Sequence, residues 1–198
     1  MISLCMDTSH TWLVIALLKD DKILGKFQER CWKKQSEEIF PQLTKLMDEC
    51  QVQPEDIDEV VVSEGPGSYT GVRIAMTVAK VFCALKNIPI YTVGTLQLYA
   101  GLEKCRVVTD ARGKRVYTCT YENGEATGKL EAIEIEELVN NIGDELIIGD
   151  GSLLNKEDNW PDISDNFLSL RNKWKKWDNV HLVVPEYLKS SESYLVKK

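Results

Sequence analysis

A chain of 198 residues with a formal charge of −7, 43% hydrophobic and 28% charged residues is long enough for one large or two small domains with a buried core, and its composition is that of an ordinary soluble protein. The acidic balance argues against independent capture of nucleic acid, which rests on lysine and arginine neutralising phosphates. No window approaches a membrane span, the opening MISLCMDTSHTW lacks a basic signal region, and six scattered cysteines fit small buried hydrophobes in a reduced, cytoplasmic protein.

In chain order, ISLCM, TWLVIALL and ILGKFQERC predict a three-stranded meander with turns at Asp7-Thr8-Ser9-His10 and DDKI. Residues 36–50 follow with an amphipathic stripe of Ile39, Phe40, Leu43, Leu46, Met47 and Cys50. Pro41 is tolerable in a first helical turn and kinks a helix beyond it. Then come the strand EVVVS, the turn SEGPGSYTGVR, a helix over 69–86, the strand IPIYTV and a shorter helix near 95–102. Three strands followed by α, β, α, β is a mixed α/β layer with helices covering a sheet.

The pattern then begins again. CRVVTDARGKRVYTCTY at 105–121 repeats the strand, aspartate, tight turn and strand of ISLCMDTSHTWLVIAL at 2–17, with Asp110 in the place of Asp7. This reads as a duplication, with lobes at 1–104 and 105–198, the second abbreviated after the strand ELIIGDG.

The glycine turn is open to several readings. It lacks the Gly-Lys-Ser/Thr of a Walker loop, misses GxGxxG by one residue, and places Ser68 one position out for a nucleophile elbow. Two readings remain: a phosphate cradle at a helix start, or a tight turn with Ser68 or Thr70 as cap, aiming the helix that follows. On that helix the polar residues Arg73, Thr77 and Lys80 form a narrow stripe and the rest is apolar nearly all round. Such a helix has two faces to bury, and the second favours a partner chain. With only His10 and His181, a metal site and a histidine-based triad are not expected. The run RNKWKKW at 171–177 mixes cations with Trp174 and Trp177; it reads as a polar stretch with aromatics folded inward, or as a base-stacking patch.

The run SEGPGSYTGVRIAMTVAKVFCALKNIPIYTVGTLQLYA, with MDTSHTWLVIAL, DARGKRVY and the closing PEYLK, resembles the TsaB (YeaZ) family over nearly the whole chain. The resemblance implies the ASKHA fold of actin and the sugar kinases, with two duplicated lobes each opening on a β-meander. It implies a non-catalytic subunit that supports a TsaD-like catalytic subunit, joined by a TsaE-like ATPase, in forming threonylcarbamoyladenosine beside the anticodon of ANN-decoding tRNAs. It places Thr95 and Tyr99 at the two histidine positions of the catalytic relative's metal-binding HxxxH.

On this reading tRNA meets the chain only through the complex, and no cofactor, metal or membrane is expected. The partner interface is expected on Ile39, Leu43 and Leu46 of the first helix and Val72, Met76, Ala79 and Cys83 of the second, packing against the equivalent helix pair of the partner or, alone, of a second copy. A charge at Met76 is then expected to break pairing without unfolding the chain. Asp7, Thr8, Asp110, Gly149 and Gly151 mark a vestigial nucleotide cleft. The rival readings are a standalone actin-like ATPase or small-molecule kinase, and an RNA-binding module at 171–177.

Overall fold

The computed structural model describes residues 1–31 and 33–188; Lys189 of the closing motif and the end of the expected second lobe lie outside them. Strands β1 (Ile2–Asp7), β2 (Trp12–Lys19) and β3 (Lys22–Arg30) form the meander, followed by helix α1 (Gln35–Glu49), strand β4 (Glu59–Ser63), helix α2 (Tyr69–Lys86), strand β5 (Ile90–Val93) and helix α3 (Thr95–Ala100). The repeat runs through β6 (Cys105–Arg112), β7 (Arg115–Glu122), β8 (Glu125–Ala126), β9 (Glu131–Glu134), helix α4 (Ile135–Asn141) and β10 (Ile147–Gly149). Helix α5 (Ile163–Ser169) and strand β11 (Lys175–Trp177) come last.

The six-stranded sheet has the order β11-β5-β4-β1-β2-β3, and the second sheet runs β10-β6-β7-β8 with β9 also on β7. In the first, β1 is antiparallel to β2 and parallel to β4; in the second, β6 is antiparallel to β7 and parallel to β10. The same three-strand unit occurs twice, in an ASKHA fold. Past β10 the chain turns back: β11 pairs antiparallel with β5 of the first sheet, and Gln28 of β3 clasps the approach to α5, donating to the Pro161 carbonyl at 2.8 Å and accepting from Ile163 N–H at 2.7 Å.

Alternation on the central strands fixes the layers. Leu4, Met6, Leu13, Ile15, Leu17, Val60 and Val62 face α1 and α2, while Cys5, Val14, Ala16, Leu18 and Val61 face the second sheet together with α3 and α5. Apolar side chains on both faces are what a sheet covered on both sides requires. A third cluster, around Val108, Val116 and Leu138, lies beneath α4 on the far side of the second sheet. Helix α1 runs through Pro41, in its second turn, as one element.

The glycine turn sits against the β1–β2 turn. Ser68 N–H donates to the Ser9 carbonyl at 2.7 Å, and the Ser68 hydroxyl caps α2 by accepting from Gly71 N–H at 3.2 Å. A Cβ on Gly71 would overlap the Thr8 carbonyl oxygen, and one on Gly67 the Ser9 carbonyl oxygen. A clash with backbone has no rotamer to relieve it. Gly71→Ala is therefore expected to destabilise the fold by about 2–4 kcal/mol, whereas Gly94→Ala, whose added Cβ would meet only the Gln97 side chain at ordinary contact distance, should stay within about 0.5 kcal/mol. Urea denaturation of the two variants checks this, and equal losses would contradict the packing described.

Candidate functional site

The residues expected to mark a nucleotide cleft are each engaged with neighbours outside that set. The fully buried Asp7 accepts from Ser9 N–H at 3.0 Å, from the Tyr99 hydroxyl at 2.9 Å and from the Ser63 hydroxyl. Burial first, and the Asp7 charge second, push the Tyr99 phenol well above its ordinary range, so it remains a donor. The Thr8 hydroxyl donates to the Gly71 carbonyl at 2.6 Å and accepts from Ala75 N–H at 3.0 Å. Those are the two groups an uninterrupted helix would join directly, so the turn is stitched into the first turns of α2.

Across the cleft, Asp110 accepts from Arg112 N–H at 2.7 Å, and its own N–H donates to Asp150 at 2.7 Å. The same Asp150 oxygen meets His10 Nε2 at 2.9 Å. Gly149, at φ +106°, lies so close to the Val108 carbonyl that a side chain would overlap it, and Gly151 stands likewise against the Glu157 carbonyl. Trp160 packs against the β1–β2 turn, with ring centroids 4.9 Å from His10 and 5.7 Å from both Trp12 and Tyr99. Asp150 thus links the β1–β2 turn, through His10, to Asp110 of β6. Trp160 was not visible as a neighbour of that turn, because nothing in its local sequence marks a return to the first lobe.

The expected interface residues are placed differently from the expectation. Ile39, Leu43, Leu46, Val72, Met76, Ala79 and Cys83 are all buried within the chain, Met76 at 3% exposure, and all pack onto the first sheet. The physical reason is the anchoring of α2 by Thr8 and Gly71, which turns this face toward β1 and β4. A charge at Met76 would thus disrupt the core rather than a surface. Burial also pushes the Cys83 thiol up to about 12.

The opposite side of α2 carries the open apolar face. Val81 and Leu85 are 54% and 82% exposed, Phe40 of α1 is 58% exposed, and with Ile74, Val78 and Phe82 they line a groove of about 640 Å³ between the two helices. The floor of the groove is touched by Ile39 and Leu43, and Tyr69, Thr70 and Arg73 stand at its rim. The chemistry of this surface is contact: it offers apolar area and no converging catalytic groups. Among the described residues no three His, Cys, Asp or Glu side chains converge on a metal site.

The polar stripe of α2 holds the C-terminal strap. Lys80 donates to the carbonyls of Val183 at 2.7 Å and His181 at 3.1 Å; Arg73 Nε donates to the Tyr187 hydroxyl at 2.7 Å. Glu186 N–H donates to the Glu64 carbonyl at 2.6 Å, and the Glu186 carbonyl lies against Gly65 at the start of the glycine turn. At 171–177 the aromatics are turned inward: Trp174 Nε1 donates to the Phe167 carbonyl at 3.1 Å and Trp177 Nε1 to Thr92 Oγ1 at 2.8 Å, while Arg171 reaches Ser3 Oγ at 3.2 Å and Lys173 pairs with Glu125. Each half-buried ring also carries a cation of the same run, Arg171 at 5.0 Å from the Trp174 centroid and Lys175 at 4.2 Å from that of Trp177.

Glu186, exposed as a residue, has its carboxyl pushed above the ordinary range, by partial desolvation against the chain first and by repulsion from Glu64 second, with Lys175 opposing. A folded-state value raised above the unfolded one makes its contribution most favourable below about pH 4, where the carboxyl is protonated in both states, and erodes it as pH rises through the folded value. Glu186→Gln is therefore expected to be more stable than the parent at pH 7 and equal to it near pH 3.5, as read from denaturation midpoints; a difference independent of pH would contradict this.

Residues 25–157 match the family described as "TsaD: tRNA N6-adenosine threonylcarbamoyltransferase". Over 98% of its length the chain is 30% identical to the tRNA threonylcarbamoyladenosine biosynthesis protein TsaB of Bacillus subtilis (strain 168), covering 96% of that protein. It is 28% identical to the Escherichia coli (strain K12) protein of the same name over 81% of this chain and 74% of that one. A solved Pseudomonas aeruginosa structure called YeaZ superposes with a TM-score of 0.76 at 22% identity, covering 94% of this chain and all of that one, and a second, described as having similarity to peptidase YEAZ, reaches 0.79, covering 95% and 99%. The near-complete, colinear match to TsaB, on a fold shared with YeaZ, establishes that the chain belongs to the TsaB (YeaZ) family.

Proposed function

We propose that this chain is a non-catalytic scaffold that docks on a TsaD-like catalytic subunit and supports it in forming threonylcarbamoyladenosine on tRNA. The observation that carries this reading is the exposed apolar groove between α1 and α2, lined by Phe40, Ile74, Val78, Val81, Phe82 and Leu85. A contiguous apolar face of this kind, on a protein otherwise rich in charge, marks a site of association. The names carried by the relatives support the pathway, and the match of residues 25–157 to the TsaD family supports a partner of related fold. A partner built on a related fold offers a similar helix pair, and two such pairs pack as a four-helix arrangement.

The absence of catalysis in this reading rests on residue types. Thr95 and Tyr99 occupy the positions the resemblance gives to metal-binding histidines, and the Tyr99 hydroxyl is committed to Asp7. Asp7 is fully buried and already accepts three hydrogen bonds from the protein, which disfavours the standalone ATPase or kinase alternative. A TsaE-like ATPase joins the assembly, tRNA reaches this chain only within it, and the assembly works in the cytoplasm. Without its partner the chain pairs with a second copy through the same face.

Val81→Asp and Leu85→Asp place a charge on the groove lining at positions already exposed, so the fold is expected to persist. Affinity for the TsaD-like subunit should fall by about 100-fold or more, measured by calorimetry, with parallel loss of threonylcarbamoyladenosine in tRNA incubated with ATP, threonylcarbamoyl-adenylate and the three proteins, read by nucleoside mass spectrometry. Unchanged binding by both variants, or full product without this chain, would overturn the proposal.

A further inference from the structure

The chain has six arginines, and five of them lie within 4.0 Å of a carboxylate: Arg30 of Asp158, Arg106 of Glu145, Arg112 of Asp110, Arg115 of Glu134 and Arg171 of Glu59. Arg73 is the exception among the described residues, in a protein carrying 31 acidic side chains. It is also the arginine at the rim of the apolar groove. Its guanidinium lies 4.1 Å from the ring centroid of Tyr69 and 5.8 Å from that of Tyr187. The two rings are themselves stacked at 5.3 Å, and the Nε donor is fixed on the Tyr187 hydroxyl at 2.7 Å.

An exposed arginine ordinarily loses side-chain freedom when it pairs, and that loss offsets much of the gain. Here the loss is taken in the free protein. The strap residue Tyr187 and the helix residue Tyr69 hold the guanidinium in one place, next to apolar surface whose burial would strengthen any ion pair formed there. A planar fork held in this way favours a carboxylate that can meet two N–H groups at once.

We infer that Arg73 reads the charge of the groove's occupant: the docked surface is a helix whose apolar ridge fills the groove and whose flanking carboxylate pairs with Arg73, held in place by Tyr187. This rests on the docking of a TsaD-like subunit proposed above and adds a specificity element to it. Tyr187 is then a positioning residue, and the C-terminal strap forms part of the docking face although it belongs to the distal end of the chain.

The test is calorimetric titration of the full-length protein with the TsaD-like subunit, with thermal melts confirming that each variant is folded. Arg73→Gln is expected to weaken binding by about tenfold or more, Arg73→Lys to recover only part of it because an ammonium lacks the fork, and Tyr187→Phe to weaken it severalfold with the Arg73→Gln background abolishing that effect. Arg73→Glu should be rescued by exchanging one acidic residue for arginine on the partner's facing helices. If Arg73→Gln binds within twofold of the parent while Val81→Asp does not bind, the charge-reading role is wrong and the docking face stands. If neither variant changes binding, the groove is not the interface and both readings fall. Loss of self-association or of tRNA retention alone, with partner affinity intact, would assign Arg73 to a second copy or to phosphate and overturn the inference.

Discussion

The structure depends on the contact between the β1–β2 turn and the head of α2. Thr8 inserts its hydroxyl between the Gly71 carbonyl and the Ala75 N–H, Ser9 receives the Ser68 N–H, and the missing side chains at Gly67 and Gly71 let the backbones approach. This contact sets the rotation of α2 about its own axis. With that rotation fixed, Val72, Met76, Ala79 and Cys83 must face the sheet, and Val78, Val81 and Leu85 must face away from it.

A single arrangement thus closes one surface and opens another. The aspartates of the two turns are engaged inside the chain: Asp7 gathers donors from three elements, and Asp150 ties His10 of the β1–β2 turn to Asp110 of β6. The apolar area that cannot be buried inside the chain is concentrated on the far side of α1 and α2. The strap at 183–188 frames that surface from the opposite end of the sequence, fixed by Lys80 and Arg73.

Much of this was legible in the residues. The strand-turn-strand repeat around Asp7 and Asp110 gave the duplicated lobes, and the nearly all-round apolar pattern of 69–86 gave a helix with two faces to cover. What periodicity could not give was which face met the sheet, because both are apolar and the choice is made by a tertiary contact with Thr8, some 60 positions away in the chain. Periodicity therefore points to the inward face as readily as to the outward one that carries Val81 and Leu85, beside Phe40 of α1. Trp160 and Tyr187 were hidden for a similar reason: each acts on the first lobe from a segment with no local pattern, and long-range placement of single aromatics leaves no periodic trace. The polar stripe Arg73, Thr77 and Lys80 was visible, but its role in seating the strap needed the fold.

The central claim is that the outward face of α2 is where this protein meets its partner. Its most direct test is the rate at which a cysteine introduced by Val81→Cys reacts with a maleimide, measured by mass spectrometry of the intact chain, with and without the TsaD-like subunit. Rapid labelling in the free protein and strong protection in the mixture is the predicted result. Equal labelling in both, under conditions where the two proteins co-elute, would show that the partner sits elsewhere and contradict the account.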